Sequence, residues 1–222
     1  MFNSATLSRV LSEMELDRIS ESLQDLSFSN VLVVGSGKRL KGSESILLRP
    51  LNKSTRIIFA DQNRFAAPDI LMDPGISFSV KSDIFNMVIS TWLAEHLMHP
   101  ELLFFEAFRV LRGGGIFICS VPFIYRKHEA PYDYFRFTDT ALSNFGVSAG
   151  FKEVQIRQVG GAPFACCVSL IWPIIRLPFL GMIMYLLARI LDGVLRVIAE
   201  KKGKASGLFT SYPINYIIVA IK

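Results

Sequence analysis

The feature that most constrains the fold is the run Val31-Leu32-Val33-Val34, which breaks into Gly35-Ser36-Gly37. Four consecutive apolar, mostly β-branched residues read as a strand buried on both faces, which belongs in a parallel sheet covered by helices. The glycines that follow permit positive φ and close approach of a ligand to the backbone, and a helix starting nearby offers unpaired N–H groups. Alone, such a turn is an ambiguous nucleotide signal. Asp61 sharpens it, lying twenty-four residues beyond Gly37 at the end of a second apolar run, Arg56 to Ala60. A carboxylate there can accept hydrogen bonds from both hydroxyls of a ribose. Asp73 closes a brief third run, Asp69 to Met72, where it could receive the exocyclic amine of an adenine. Both aspartates also read more plainly as turn residues, Asp73 ahead of Pro74-Gly75. Together the three positions put a ligand across the carboxyl ends of adjacent strands, where open α/β sheets bind ligands.

The rest of the chain extends this pattern. Residues 4 to 26 carry apolar side chains at helical spacing (Leu7, Val10, Leu11, Met14, Ile19, Leu23), a leading amphipathic helix. The segment to Leu51 is interrupted by Gly42 and Pro50, so any helix in it is short. Asn86 to Ser90 is a fourth strand. Pro100 to Leu111 is a helix expected to stop at Gly113-Gly114-Gly115, and Ile116 to Val121 is a fifth strand. Thr138 to Ala149 is a helix capped by Thr138 or Asp139 and ended by Gly150; Phe151 to Arg157 and Tyr216 to Ile221 are the sixth and seventh strands. Strands alternating with helices imply an α/β, Rossmann-like, seven-stranded and mostly parallel sheet with helices on both faces. The expected organisation is a helix over 1–28, a ligand-binding domain over 29–161 and 208–222, and an apolar helical insertion over 162–207, between strands six and seven.

Several segments resemble a known family. Val31 to Gly37 is similar to motif I of class I S-adenosylmethionine (SAM) methyltransferases. Thr91-Trp92-Leu93-Ala94-Glu95-His96-Leu97 with His99-Pro100 resembles their LEHV-x-x-P segment, and Arg109-Val110-Leu111-Arg112-Gly113-Gly114 their RVLKPGG segment. Val121-Pro122-Phe123, His128 and Pro131 to Thr138 resemble the VPF…H…P-x-DY-x-RFT run of bacterial SAM methyltransferases often found with surface-glycan biosynthesis. The likeness covers residues 31 to 157 and resumes at Tyr216 to Lys222. It implies SAM as cofactor, held by Gly35, Ser36, Gly37, Asp61, Asp73, Thr91 and Glu95, and O-methylation of a glycan or lipid-linked small-molecule acceptor. Two positions depart from it. Val33 stands where the family has an acidic residue that helps hold the motif I loop and the methionine end of SAM, and Asn86 stands where it has aspartate. These departures keep open a methyltransferase-like binding or scaffold protein without activity. A nicotinamide-dependent oxidoreductase also suits Gly35-x-Gly37 and Asp61, but it lacks a third glycine at the usual spacing and leaves Glu95-His96 unexplained.

Methyl transfer from a sulfonium is a direct displacement, so in-line positioning and exclusion of water are the main tasks. A base helps only where the acceptor must lose a proton. The three histidines, His96, His99 and His128, all follow the fourth and fifth strands. His128 is the expected base, with His96 as competitor and Asp133 as orienter; the structural alternatives are packing for His96, a loop hydrogen bond for His128 and an ion pair with Arg136 for Asp133. Tyr132, Tyr134, Phe135 and Phe137 are expected to wall the pocket. Along the chain, the histidines and Glu95 form no convincing ligand set, and no metal is expected.

The chain is 51% hydrophobic, with mean hydropathy +0.39, and the excess sits after residue 161. Arg176, between Pro173 and Pro178, divides that stretch into arms of about thirteen and fifteen residues, each shorter than the roughly 20 needed to cross a bilayer. Both flanking strands belong to one sheet, so a single crossing is excluded. The expectation is an in-plane or re-entrant hairpin over 163–200, with Trp172 and Tyr185 as interfacial anchors and Arg189, Arg196, Lys201, Lys202 and Lys204 toward anionic headgroups. The alternatives are a helical lid or a homodimer interface. The net charge of +5 is scattered, which excludes a nucleic-acid stripe. Adjacent Cys166 and Cys167 cannot form an unstrained bridge, and Met1 to Asp17 shows no basic region followed by an apolar run. A cytoplasmic body at the inner face of the membrane is the expected location.

Overall fold

The structure, a computed structural model, describes residues 7–36, 43–172, 178–201, 207, 209 and 211–222. Seven strands form one sheet: β1 (Asn30–Val34), β2 (Arg56–Asp61), β3 (Ile70–Leu71), β4 (Phe85–Thr91), β5 (Leu111–Pro122), β6 (Glu153–Gly161) and β7 (Tyr212–Ile221). Their order is β3-β2-β1-β4-β5-β7-β6. The order reverses between β1 and β4, so the crevice at their carboxyl ends is the switch point at which such sheets take ligands. Pairing is parallel from β3 to β5, while β7 runs antiparallel to both β5 and β6. The sheet is thus mixed at one edge, a feature that strand periodicity does not disclose because the helical connection before β7 sets its direction.

Alternation along β1 divides the core. Val31 and Val33 join Leu16 and Ile19 of α1 (Leu7–Ser22), Leu23 just beyond it, and Ile46 and Leu47 of α2 (Glu44–Leu48) on one face. Leu32 and Val34 join Leu103, Phe104 and Ala107 of α3 (Pro100–Val110) and Leu142 of α4 (Asp139–Ala149) on the other. Val33 is therefore a packed core residue, 1% exposed. Asn86 sits at the opposite, amino end of the sheet from the switch point. Its Oδ1 accepts the Ser29 N–H, the Ser29 hydroxyl and the Asn30 N–H at 3.1, 2.7 and 3.1 Å, and so fastens the start of β1 to β4. That departure from the family pattern serves the sheet.

α1 is held by an interaction across the whole chain. Buried Asn215 of β7 donates to Ser12 Oγ at 2.7 Å and to the Ser8 carbonyl at 3.0 Å, and accepts from the Ser8 hydroxyl at 3.1 Å. Thr138 Oγ1 caps α4 by accepting the Ala141 N–H, and Gly150 ends the helix at φ +103°. The triple glycine does not cap α3 as expected. The helix ends at Val110, and Gly113 to Gly115 lie inside β5, where Gly114 takes φ +77° and donates to the Lys222 carbonyl. A Cβ on Gly115 would stand 2.9 Å from the Arg112 carbonyl oxygen, so crowding within the strand accounts for that glycine.

Between β6 and β7 lie α5 (Pro163–Ile171) and α6 (Pro178–Lys201). Buried Asp192 of α6 accepts the Phe164 and Ala165 N–H groups at 3.0 Å each, capping α5 with a carboxylate and joining the two helices. α6 has 24 residues, longer than the expected arm, because its helical repeat continues past Asp192. Pro173, Arg176, Lys202 and Lys204 lie outside the described residues. Among the described residues no helix is long and apolar enough to cross a membrane.

Candidate active site

A cavity of about 380 Å³ opens at the switch point. Gly35 and Ser36 of the β1 turn, Ser43 and Glu44 at the start of α2, and Thr91 and Trp92 at the end of β4 line one part of it. His96, Tyr125, His128 and Glu129 line another, with Arg9 of α1 at the margin. A second cavity of about 360 Å³, between α1, β6 and α6, contains none of the expected site residues.

On the β1 side, Gly35 adopts φ +86° and donates to the Ala60 carbonyl at 2.8 Å; a Cβ there would meet Leu93 at 2.9 Å. Glycine is required by conformation and by space. Gly37 lies outside the described residues. Glu44, which sequence reasoning missed, is 4% exposed and accepts the Thr91 hydroxyl at 3.1 Å on the cavity wall. The only sequence signal for it was an acid in a short helix soon after the glycine turn of a chain with valine at 33. Asp61 and Asp73 do not line the cavity. Asp61 Oδ1 accepts the Asn63 N–H at 2.7 Å, and exposed Asp73 Oδ1 accepts the Gly75 N–H at 2.8 Å, each within its own turn.

The opposite wall is aromatic and titratable. Trp92, at φ +55°, lies 5.6 Å from Tyr125, Tyr125 5.1 Å from His128, and His128 4.8 Å edge-on from His96, measured between ring centroids. Trp92 and Tyr125, and not the expected Tyr132, Tyr134, Phe135 and Phe137, line this part of the cavity. Phe137 is buried in the core against Phe145, and the other three are exposed, because the loop folds their rings outward.

His96 Nδ1 lies 2.7 Å from the Tyr132 carbonyl. A carbonyl can only accept, so Nδ1 carries the proton and Nε2 presents its lone pair. His128 Nδ1 is 3.4 Å from both Asp133 Oδ2 and the Arg136 guanidinium. Burial holds the His128 pKa below the ordinary histidine value, so the ring is neutral at pH 7. Hydrogen bonds from Arg136 hold Asp133 far below the usual carboxylate range, and the same carboxylate accepts the His128 backbone N–H at 2.8 Å. Arg136 also donates to the Arg126 and Phe135 carbonyls, so the Asp133–Arg136 pair builds the loop that presents His128.

Glu95 lies behind the two histidines and is fully buried. Its Oε1 is 3.8 Å from Nε2 of His96 and 3.8 Å from Nε2 of His128. Among the described residues, no other residue hydrogen-bonds its carboxylate, and only its own amide lies close. Burial raises its pKa to about 8. His99 stays outside this group, exposed and 3.4 Å from Glu101. The fold thus gathers Glu95, His96 and His128, with ligating atoms within 4.8 Å of one another, although 32 residues separate His96 from His128.

No protein-family model and no curated protein matches the sequence. Solved structures do match. A SAM-dependent methyltransferase from Archaeoglobus fulgidus superposes with a TM-score of 0.62 at 16% identity, over 96% of this chain and 94% of that one. The fold is that of SAM-dependent methyltransferases. A Thermotoga maritima SAM-dependent methyltransferase, described as a possible histamine N-methyltransferase, gives 0.55 at 12% identity, over 97% and 92%. A Burkholderia thailandensis 1,6-didemethyltoxoflavin-N1-methyltransferase, solved with 1,6-didemethyltoxoflavin and S-adenosylhomocysteine, gives 0.53 at 12%, over 95% and 78%. At these identities the likeness is one of fold.

Proposed function

We propose that the protein is a SAM-dependent methyltransferase acting on a hydroxyl of a glycan or lipid-linked small-molecule acceptor. The observation that carries this reading is a single switch-point cavity with a glycine turn and a buried carboxylate on one wall and two imidazoles on the other. Its volume lies within the roughly 300–1,000 Å³ of small-molecule sites. SAM, when bound, supplies an electrophilic methyl group on a sulfonium. The Gly35–Ser36 backbone holds its nucleoside side, and Asp61 and Asp73, outside the cavity lining beyond β2 and β3, reach toward its ribose and adenine. Glu44, steadied by Thr91, receives its ammonium group in place of the acid absent at Val33. Trp92 and Tyr125 exclude water from the acceptor. The acceptor proton is taken at the Glu95–His96–His128 cluster, where His96 Nε2 is the better placed base because its lone pair is fixed by the Tyr132 carbonyl.

Titrating SAM, S-adenosylhomocysteine and NAD against thermal stability tests this. A ligand at 100 times its dissociation constant stabilises by about 2.7 kcal/mol. Stabilisation by the first two supports the reading, a response to NAD alone would favour an oxidoreductase, and no response a scaffold.

The exposed apolar residues of α6 support a second element, seating on the inner membrane surface. Phe179, Met182 and Leu186 are 74%, 63% and 63% exposed, and Arg189, Arg196 and Lys201 lie on the same helix. Flotation with anionic vesicles should recover the intact chain and not one lacking residues 165–200. Equal recovery overturns the membrane element, and a dimer lost on deletion assigns the helices to self-association.

A further inference from the structure

A buried carboxylate with no partner costs free energy unless something compensates it. Glu95 is such a group: fully buried, approached among the described residues by no donor other than its own amide, and directed at two imidazole Nε2 atoms at 3.8 Å each. Two neutral imidazoles and one carboxylate are a donor set for a divalent ion of borderline softness, and three protein ligands leave positions open.

The surroundings fit metal ligation in detail. A ligating histidine usually donates its second ring nitrogen to a carbonyl or carboxylate, which fixes the tautomer. His96 Nδ1 does so to the Tyr132 carbonyl at 2.7 Å; His128 Nδ1 lies 3.4 Å from both the Asp133 carboxylate, which favours a proton there, and the Arg136 guanidinium, which disfavours it. Both Nε2 atoms lie 3.8 Å from Glu95 Oε1. Donors each about 2.1 Å from a tetrahedral ion stand about 3.4 Å apart, so the cluster needs only side-chain rotation to close on one. Glu129, whose Oε2 lies 3.9 Å from His96 Nε2, adds negative charge at the cavity mouth. His96 and His128 also line the cavity, so an open position on the ion would face a bound acceptor.

We propose that Glu95, His96 and His128 form a binding site for one divalent transition-metal ion of the zinc class, with an open position facing the cavity. The ion site stands on the geometry alone. Its role in activating the acceptor oxygen rests on the methyltransferase reading; with the ion bound, His96 Nε2 is a ligand and no longer the base, the ion lowers the hydroxyl pKa, and the released proton passes to water at the cavity mouth.

Cobalt(II) added to the chelator-treated full-length protein is the direct probe. One equivalent should bind and produce a visible d–d band. Glu95→Gln and His96→Ala should each weaken binding on the order of 100-fold, while His99→Ala should leave it unchanged. S-adenosylhomocysteine binding, measured on the same variants, reports whether the fold and the cofactor site persist. If that binding persists in the wild type and cobalt gives no band, or if Glu95→Gln binds cobalt as the wild type does, the ion site is overturned while the SAM reading stands. If cobalt binds at this site and S-adenosylhomocysteine binds nowhere, the ion site stands and the SAM reading falls. Azide added to the cobalt form should shift the band; a band indifferent to azide marks a coordinatively closed ion and overturns the acceptor role.

Discussion

The two flanks of the cavity, beyond β2 and β3 on one side and beyond β4 on the other, treat their carboxylates in opposite ways. Toward β2 and β3, Asp61 and Asp73 reach solvent and each accepts an amide two residues on, an arrangement complete without any ligand. Beyond β4, the Glu95 carboxyl is buried, 3.8 Å from two imidazoles, and among the described residues no other residue hydrogen-bonds it. An unsatisfied buried polar group costs about 1–3 kcal/mol, whereas an exposed turn carboxylate costs almost nothing. The β1–β3 side is therefore a stable platform that can wait for a ligand. The β4–β5 side is held in a state that the rest of the fold must support, as functional sites commonly are.

This contrast can be broken by substitution. The largest effect should come from His96→Ala, which removes the fixed lone pair: methyl transfer to the acceptor should fall about 10² to 10⁴-fold, with affinity for S-adenosylhomocysteine nearly unchanged. Equal losses in both would move His96 to the cofactor side. Asp61→Ala should do the reverse, weakening SAM binding by roughly 1.5–3 kcal/mol, the worth of hydrogen bonds to a charged group, with little change in urea midpoint. Glu95→Leu should raise the stability of the metal-free protein by about 1–3 kcal/mol while abolishing turnover. A lower urea midpoint would show that Glu95 is supported after all.

The smallest effect concerns a third kind of carboxylate, one fully partnered. Glu106 accepts the Phe78 N–H at 2.6 Å and Arg109 at 2.7 and 2.8 Å. Its hydrogen bonds to Arg109 hold its pKa below the ordinary 4.5. Because the folded-state value is depressed, the stability it contributes is present above pH 4.5 and is lost as pH falls through the folded value. Glu106→Gln should lower stability by about 1 kcal/mol at pH 7 and flatten the acid limb of the stability–pH curve. An unchanged acid limb would discount the pair.

Legibility followed the range of the interactions. The β1 strand and its turn, the Thr138 cap and the Gly150 stop are set by neighbouring residues, and all stand where periodicity and turn chemistry placed them. The Gly113 to Gly115 run misled because glycine ends helices and also enters crowded strands, and it is the pairing of Gly114 and Gly115 with distant Lys222 that places it in β5. Glu44 escaped notice because its partner, Thr91, is 47 residues away. The cluster of Glu95, His96 and His128 depends on the loop after β5, whose backbone N–H groups at Tyr134 and Phe135 bond the Glu95 carbonyl. Asn86, read as a departure in the site, is a tie at the other end of the sheet.

The placement of β7 has a consequence for the order in which the molecule is made. It lies between β5 and β6, yet it follows both of them, and α5 and α6, in the chain. During synthesis from the amino end, β6 therefore emerges without a sheet neighbour, and the apolar face of α6 emerges before the strand that will complete the sheet beside it. For that interval the nascent chain presents an open strand edge and a greasy helix together. Any surface to which α6 binds can reach it before the fold is closed.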